Sequence, residues 1–275
     1  MTVINIGSGE VNSTNIPIKN KHPQILGLER FLGVDANDNF LILVDSPTNA
    51  YGIITISQSG QILDGPEFVG PIRESIEWID SSLQYDTARD SVYYVVTGPK
   101  LFVYDFAKKS TNVIKIDMED RFSIPSGCFD GVGTYYIFEN SDYYHKVFEM
   151  TSYSVSDNQQ SENANVTGIS PSSNTYLFCA NKQVYTLAFD VNQRSNMTLY
   201  LLDTDNFTAS ISYNQDIGLP NSLNLWFIDN YFVFLSDNDN NQFHLTTVDL
   251  NTNQVVSQSQ VQGTFNLYSQ ASGVF

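Results

Sequence analysis

Oxygen donors in short clusters are the side chains of this chain best suited to chemistry. Asp35, Asn37 and Asn39 alternate, with Asp38 and Asp45 beside them, like the opening positions of a calcium loop. Phe40 occupies the place of the sharp-turn glycine and Ser46 that of the bidentate acid, so a hairpin turn between two apolar runs is expected instead. Asp237, Asn238 and Asp239 in SDNDNNQ offer three adjacent donors on a polar loop and are the candidate calcium site. Glu29, Glu77, Asp80 and Asp120 precede apolar strands and are the acids available to a central cation, but in a chain this acidic they single out no catalytic metal. His22, His145 and His244 stand far apart with no partner at i+2 or i+4, which leaves no zinc motif. With no GxSxG elbow, Walker loop or helix-opening GxGxxG either, no catalytic residue is assigned.

The elements that must position these groups are short strands in a repeat of roughly 45 to 50 residues. One unit, an apolar strand, a polar turn and an aromatic or β-branched strand, recurs as GVDANDNFLILV (33–44), LQYDTARDSVYYVV (83–96), GCFDGVGTYYIF (127–138), GISPSSNTYLFC (168–179) and LWFIDNYFVFL (225–235). A sixth copy begins as NLYSQASGVF (266–275). A second unit follows each of the first five, with turns at Ser57, Asp105, Glu149, Asp203 and Asp249, and VINIGSGEVNS near residue 9 supplies a further copy. Four antiparallel strands at this period make one propeller blade. The expectation is a single all-β domain over 1–275: a six-bladed propeller whose last blade combines about 1–20 with 263–275, pairing residues 3–6 with 265–268. That closure removes the free sheet edge. Tyr93, Tyr94, Tyr135, Tyr136, Phe232 and Phe234 fall in second strands and read as core between blades. Residues 71–83 hold at most one helical turn, and 154–168 read as a long, mobile connection.

The stretch GVDANDNFLILVDSPTNAYGIITISQSGQIL resembles the repeats of six-bladed propellers of the NHL, gluconolactonase-like and strictosidine-synthase-like kind. Their blades often read Val-Asp, a Gly or Asn turn, an apolar strand and a later Gly turn. The Trp-Asp dipeptide of WD repeats, the paired glycines of kelch blades and the YWTD signature are absent. The resemblance implies the fold; in its enzymatic members it also implies acidic and Asn metal ligands near the central channel.

Composition narrows the partners. Against 13 Lys and Arg stand 30 Asp and Glu, a net charge of −17, which excludes ordinary nucleic-acid binding and docking on anionic membranes. No 18-residue apolar run is present to span a membrane. With no secretory signal in this chain, Cys128 and Cys179 read as free thiols and a cytoplasmic setting is favoured. Secretion stays open through the sequons at Asn12, Asn165, Asn196 and Asn206. The segment 65–82 is longer than a plain link between blades and mixes Arg73, Glu74, Glu77 and Trp78, the candidate partner-binding residues. Against that, Ile76, Trp78 and Ile79 would equally plug the gap between two blades. Trp78, Tyr143, Tyr144 and Trp226 lie close to connections, where aromatics serve either sugar and peptide recognition or burial. The leading expectation is a non-catalytic binding module for a protein or carbohydrate partner, needing no cofactor. The alternative is a calcium-dependent hydrolase or lactonase with its site in the channel.

Overall fold

The computed structural model describes residues 2–4, 11–13, 16–20, 22–25, 27–45, 51–68, 82–86, 88–96, 100–116, 126–142, 147–161, 163–170, 173–190, 196–216, 223–228, 230–237 and 242–261. Among them there is no helix, and so none long and apolar enough to cross a membrane. β1 (Thr2–Ile4) and β2 (Val11–Ser13) pair as a two-stranded sheet. Five antiparallel sheets follow. Blade 1 is β3 (Gly27–Val34), β4 (Phe40–Asp45), β5 (Tyr51–Ile56) and β6 (Ile62–Phe68). Blade 2 is β7 (Gln84–Asp86), β8 (Ser91–Val96), β9 (Lys100–Asp105) and β10 (Ser110–Lys115). In blade 3, β11 (Ser126–Phe129), β12 (Thr134–Asp142) and β13 (Val147–Ser154) are followed by an outer strand split into β14 (Gln159–Gln160) and β15 (Ala164–Val166), both paired with β13. Blade 4 is β16 (Ser173–Ala180), β17 (Gln183–Asp190), β18 (Asn196–Asp203) and β19 (Thr208–Asp216). Blade 5 is β20 (Leu223–Ile228), β21 (Tyr231–Asp237), β22 (Phe243–Asp249) and β23 (Gln254–Val261). The first strands of consecutive blades touch in order, β3 to β7 to β11 to β16 to β20, so they surround the centre. This arrangement is a β-propeller.

Burial on both sheet faces explains the strand sequences. Phe232, Val233, Phe234 and Leu235 are consecutive and all buried, because even positions of β21 meet blade 4 and odd positions meet the opposite side. Alternation therefore gives way to continuous aromatic and β-branched runs in the middle strands. The outer strands keep one wet face, as the exposed Val113, Ile211 and Val256 of β10, β19 and β23 show. Apolar clusters fill each seam: Leu43 and Ile53 with Val92, Phe102 and Tyr104 between blades 1 and 2, and Leu101, Ile116, Phe129, Tyr135 and Tyr153 between blades 2 and 3.

Four expectations need correction. Cys128 and Cys179 are not free thiols: they form a disulfide, with Cα atoms 5.4 Å apart. The repeat puts Cys179 in a second strand, with a turn at the Pro-Ser-Ser before it; instead β16 runs through it to Ala180. The turn is Asn181–Lys182, both with positive φ (49° and 62°), as a two-residue hairpin loop requires. That puts Cys179 on the innermost strand beside β11, which carries Cys128. Glu149 is not a turn residue but lies inside β13, and the turn falls at residues 155–158. Residues 154–168 are not a free connection either, since they hold the outer strands β14 and β15. Finally, five four-strand-deep blades and the separate β1–β2 pair are described; the expected partners of the N-terminal strand at 265–268, and the helical turn within 71–83 for all but Ser82 and Leu83, lie outside the described residues.

Candidate functional site

Antiparallel order places the turn between strands one and two, and that between strands three and four, at the same end of every blade. Backbone bonds tie the two turns together: Phe106 N donates to Asp90 O, Val155 N to Gly133 O and Leu250 N to Asn230 O. Most of these turns open with an Asp or Ser whose side chain accepts the turn's own N–H groups, the Asx and Ser turns of tight loops. Asp35 Oδ1 accepts from Asn37 N and Asn39 N, while its Oδ2 accepts from Asn39 Nδ2. Asp130 Oδ1 accepts from the N–H groups of Val132, Gly133 and Thr134. Ser57, Asp105, Ser154, Asp203 and Asp249 do the same in the outer turns. The cluster around Asp35 is thus a hairpin turn, with Asp38 at positive φ, and both oxygens of Asp35 are engaged by its own loop.

Electrostatics follow from that engagement. Burial pushes the Asp35 carboxyl up, but hydrogen bonds from Asn39 and Asn37 outweigh it and hold it below the usual carboxylate value. Lys108 lowers Asp105, and Asn206 with the Asp205 N–H lowers Asp203. Tyr85 and Tyr136 move the other way: burial pushes both phenols up, aided at Tyr85 by its hydrogen bond to Asp90 and at Tyr136 by the charge of Asp130.

One polar constellation at this end escaped sequence reasoning. Arg89 Nη1 pairs with Asp86 Oδ2 at 3.0 Å, its Nη2 donates to Val132 O across the seam to blade 3, and its guanidinium lies 5.9 Å from the Phe129 ring centre. Asp86 Oδ1 accepts from Ala88 N and Arg89 N, and Tyr85 OH donates to Asp90 Oδ1. The Asp-x-x-Arg spacing of DTARD was the available signal, and it marks a clamp between blades rather than an acid–base pair.

Arg73, Glu74, Glu77 and Trp78, with Asp80 and Asp120, lie outside the described residues; so do Asn238, Asp239, His145, Tyr143 and Tyr144. Asp237 is the last residue of β21, its backbone opposite Phe243. Glu29 is on β3 and His244 near the start of β22. Trp226, half-buried on β20, packs against Val233, Leu235, Leu245 and Val261. Tyr135, Phe232 and Phe234 are buried as expected. Among the described residues no three His, Cys, Asp or Glu side chains gather in a metal-binding group.

No protein-family model matches the chain, and no curated protein matches its sequence. Its fold resembles that of a triple arginine-to-alanine mutant of AofleA from Arthrobotrys oligospora, with a TM-score of 0.56 and 10% identity over 87% of this chain and 73% of that one. Dipeptidyl peptidase 4 of Porphyromonas gingivalis superposes at 0.50 with 10% identity, over 87% of this chain but 40% of the peptidase. Likeness at this identity shows the propeller fold alone.

Proposed function

We propose that the protein is a non-catalytic propeller that holds a protein or carbohydrate partner at the end opposite the turns between strands one and two and between strands three and four. A division of labour between the two ends carries this reading. At the turn end the leading Asp and Ser side chains are spent on their own backbone and on clamps such as Arg89, which leaves them little to offer a ligand. The opposite end is where the fourth strand of one blade hands over to the first strand of the next, and in sequence Arg73, Glu74, Glu77 and Trp78 fall between β6, which ends at Phe68, and β7, which starts at Gln84. Loops carried by a rigid scaffold are where binding residues concentrate.

The six-bladed ring implied by the resemblance is part of the proposal. Blade 1 turns Phe40, Ile42, Val44, Ile54 and Ile56 away from blade 2, gathered with Ile18 and Ile25; blade 5 turns Val233, Leu235, Leu245 and Val261 away from blade 4. Both faces are those a sixth blade would fill. The approach to blade 1 also repeats an inter-blade link: Lys19 bridges Gln61 in parallel, as Thr167 bridges Thr208 where blade 3 hands over to blade 4. By that equivalence β1 and β2 are the outer strands of a blade preceding blade 1.

The test is an array of defined oligosaccharides and a peptide-display library probed with the full chain, with and without a calcium chelator. Expected is saturable, chelator-insensitive binding that Arg73→Ala with Trp78→Ala weakens while the unfolding midpoint stays within about 1 kcal/mol. Calcium-dependent turnover of a lactone or ester, with Asp237, Asn238 and Asp239 required, would overturn it in favour of the hydrolase.

A further inference from the structure

Two sequons, Asn165-Val166-Thr167 and Asn206-Phe207-Thr208, are distant in sequence and side by side in space. Thr167 and Thr208 form a parallel bridge; Thr167 N donates to Phe207 O at 3.0 Å, and Ala209 N to Thr167 O at 2.7 Å. Next to the bridge Gly168, at φ +94°, is required, because a Cβ there would run into Ala209 O. In both sequons the middle residue points inward to the same apolar cluster: Val166 is buried in the seam between blades 3 and 4, and Phe207 packs against it. The Asn and Thr of each are consequently turned outward, and all four residues are exposed. The other sequons differ. Asn196 is half-buried on β18, which is paired on both sides, and the side chain of Asn12 lies outside the described residues.

The second observation is the disulfide. Cys128 and Cys179 join β11 to β16 in the same seam, and Cys128 is fully buried. A thiol pair loses two electrons and two protons to reach that state, and such bonds persist where exchange oxidants are present rather than in a reducing cytosol. In eukaryotic cells that setting also carries the machinery that modifies Asn-x-Thr.

From these we propose that Asn165 and Asn206 are acceptors for a neighbouring pair of N-linked glycans on the seam between blades 3 and 4. The donor is a lipid-linked pyrophosphate oligosaccharide. Each Asn Nδ2 forms a bond to the anomeric carbon and loses one proton, while the carbon–oxygen bond to the lipid pyrophosphate breaks and the pyrophosphate leaves with the electron pair. The fold tolerates the product. Asn206 Nδ2 donates to Asp203 Oδ2 at 2.8 Å, and a glycosylated amide keeps one N–H for that bond. Asn165 lies on the outer strand β15 with its side chain exposed, so a glycan there extends into solvent.

The experiment places the full chain behind a cleavable secretory leader in a eukaryotic cell and maps peptides by mass spectrometry, in cell extract as well as medium. The extract ensures that a retained chain answers too. Glycan on both Asn165 and Asn206 is expected, with the Cys128–Cys179 bond in the non-reduced map. Asn165→Gln and Asn206→Gln each remove one glycan, read on denatured protein so that folding does not matter. Leader-processed chain with either asparagine bare, or with glycan on Asn196 alone, overturns the pair.

Discussion

Arg89 illustrates how a single side chain holds two blades of this propeller together. Its partner Asp86 has a side chain only 2% exposed, whereas that of Arg89 is 35% exposed. Removing one member of a buried ion pair leaves an uncompensated charge and typically costs about 3–5 kcal/mol, a figure that partial exposure of the guanidinium reduces. Arg89→Ala is therefore expected to lower unfolding free energy by about 2 kcal/mol in chemical denaturation. Arg89→Lys should lose an intermediate amount, because a single ammonium does not reproduce a fork that reaches both Asp86 and the Val132 carbonyl. A loss below about 0.5 kcal/mol for the alanine variant would reclassify the pair as an ordinary surface bridge.

Strands and turns were readable to the extent that local chemistry set them. The turns at Asp35, Asp86, Asp105, Asp130, Asp203 and Asp249 all declare themselves by a side chain that caps its own loop, and each lies where the repeat predicted a turn. Blade 4 misled for a physical reason: Pro171, Ser172 and Ser173 carry stronger turn signals than Asn181–Lys182, whose positive φ at a lysine is uncommon. That single shift of frame moved Cys179 off the innermost strand and hid the disulfide. The partner-binding candidates were legible only as composition, since what Arg73 and Trp78 touch depends on packing that no local pattern encodes. The disulfide itself should be worth testing as an element-level staple. Cysteines 51 residues apart close a loop whose entropy corresponds to about 4 kcal/mol in the chain-entropy model. Cys128→Ser with Cys179→Ser is expected to lower stability by about 2–4 kcal/mol, and reduction of the native protein should lower its thermal midpoint. An unchanged midpoint on complete reduction would show that the apolar cluster of Phe138, Phe148, Leu177 and Leu202 holds that seam unaided.

At the scale of the whole molecule, stability depends on whether the ring is closed. Blade 1 and blade 5 each turn an apolar face away from their described neighbours, with Val44, Ile54 and Ile56 on one and Val233, Leu235 and Leu245 on the other, and the closing blade of the proposed ring would cover both. If β1, β2 and the segment after Val261 together form the closing blade, the two termini are one cooperative unit. Deleting residues 1–10 or 262–275 alone should then each lower the thermal midpoint substantially, since either removes part of the blade and exposes a sheet edge. The informative variant is the double deletion. Independent segments give additive losses, whereas segments of one unit do not, because the second deletion removes contacts the first has already broken. The expected result is a double deletion little worse than the more damaging single one, measured by calorimetry at matched concentration. Strict additivity, or a midpoint unmoved by loss of residues 1–10, would show that the N-terminal hairpin does not close the ring.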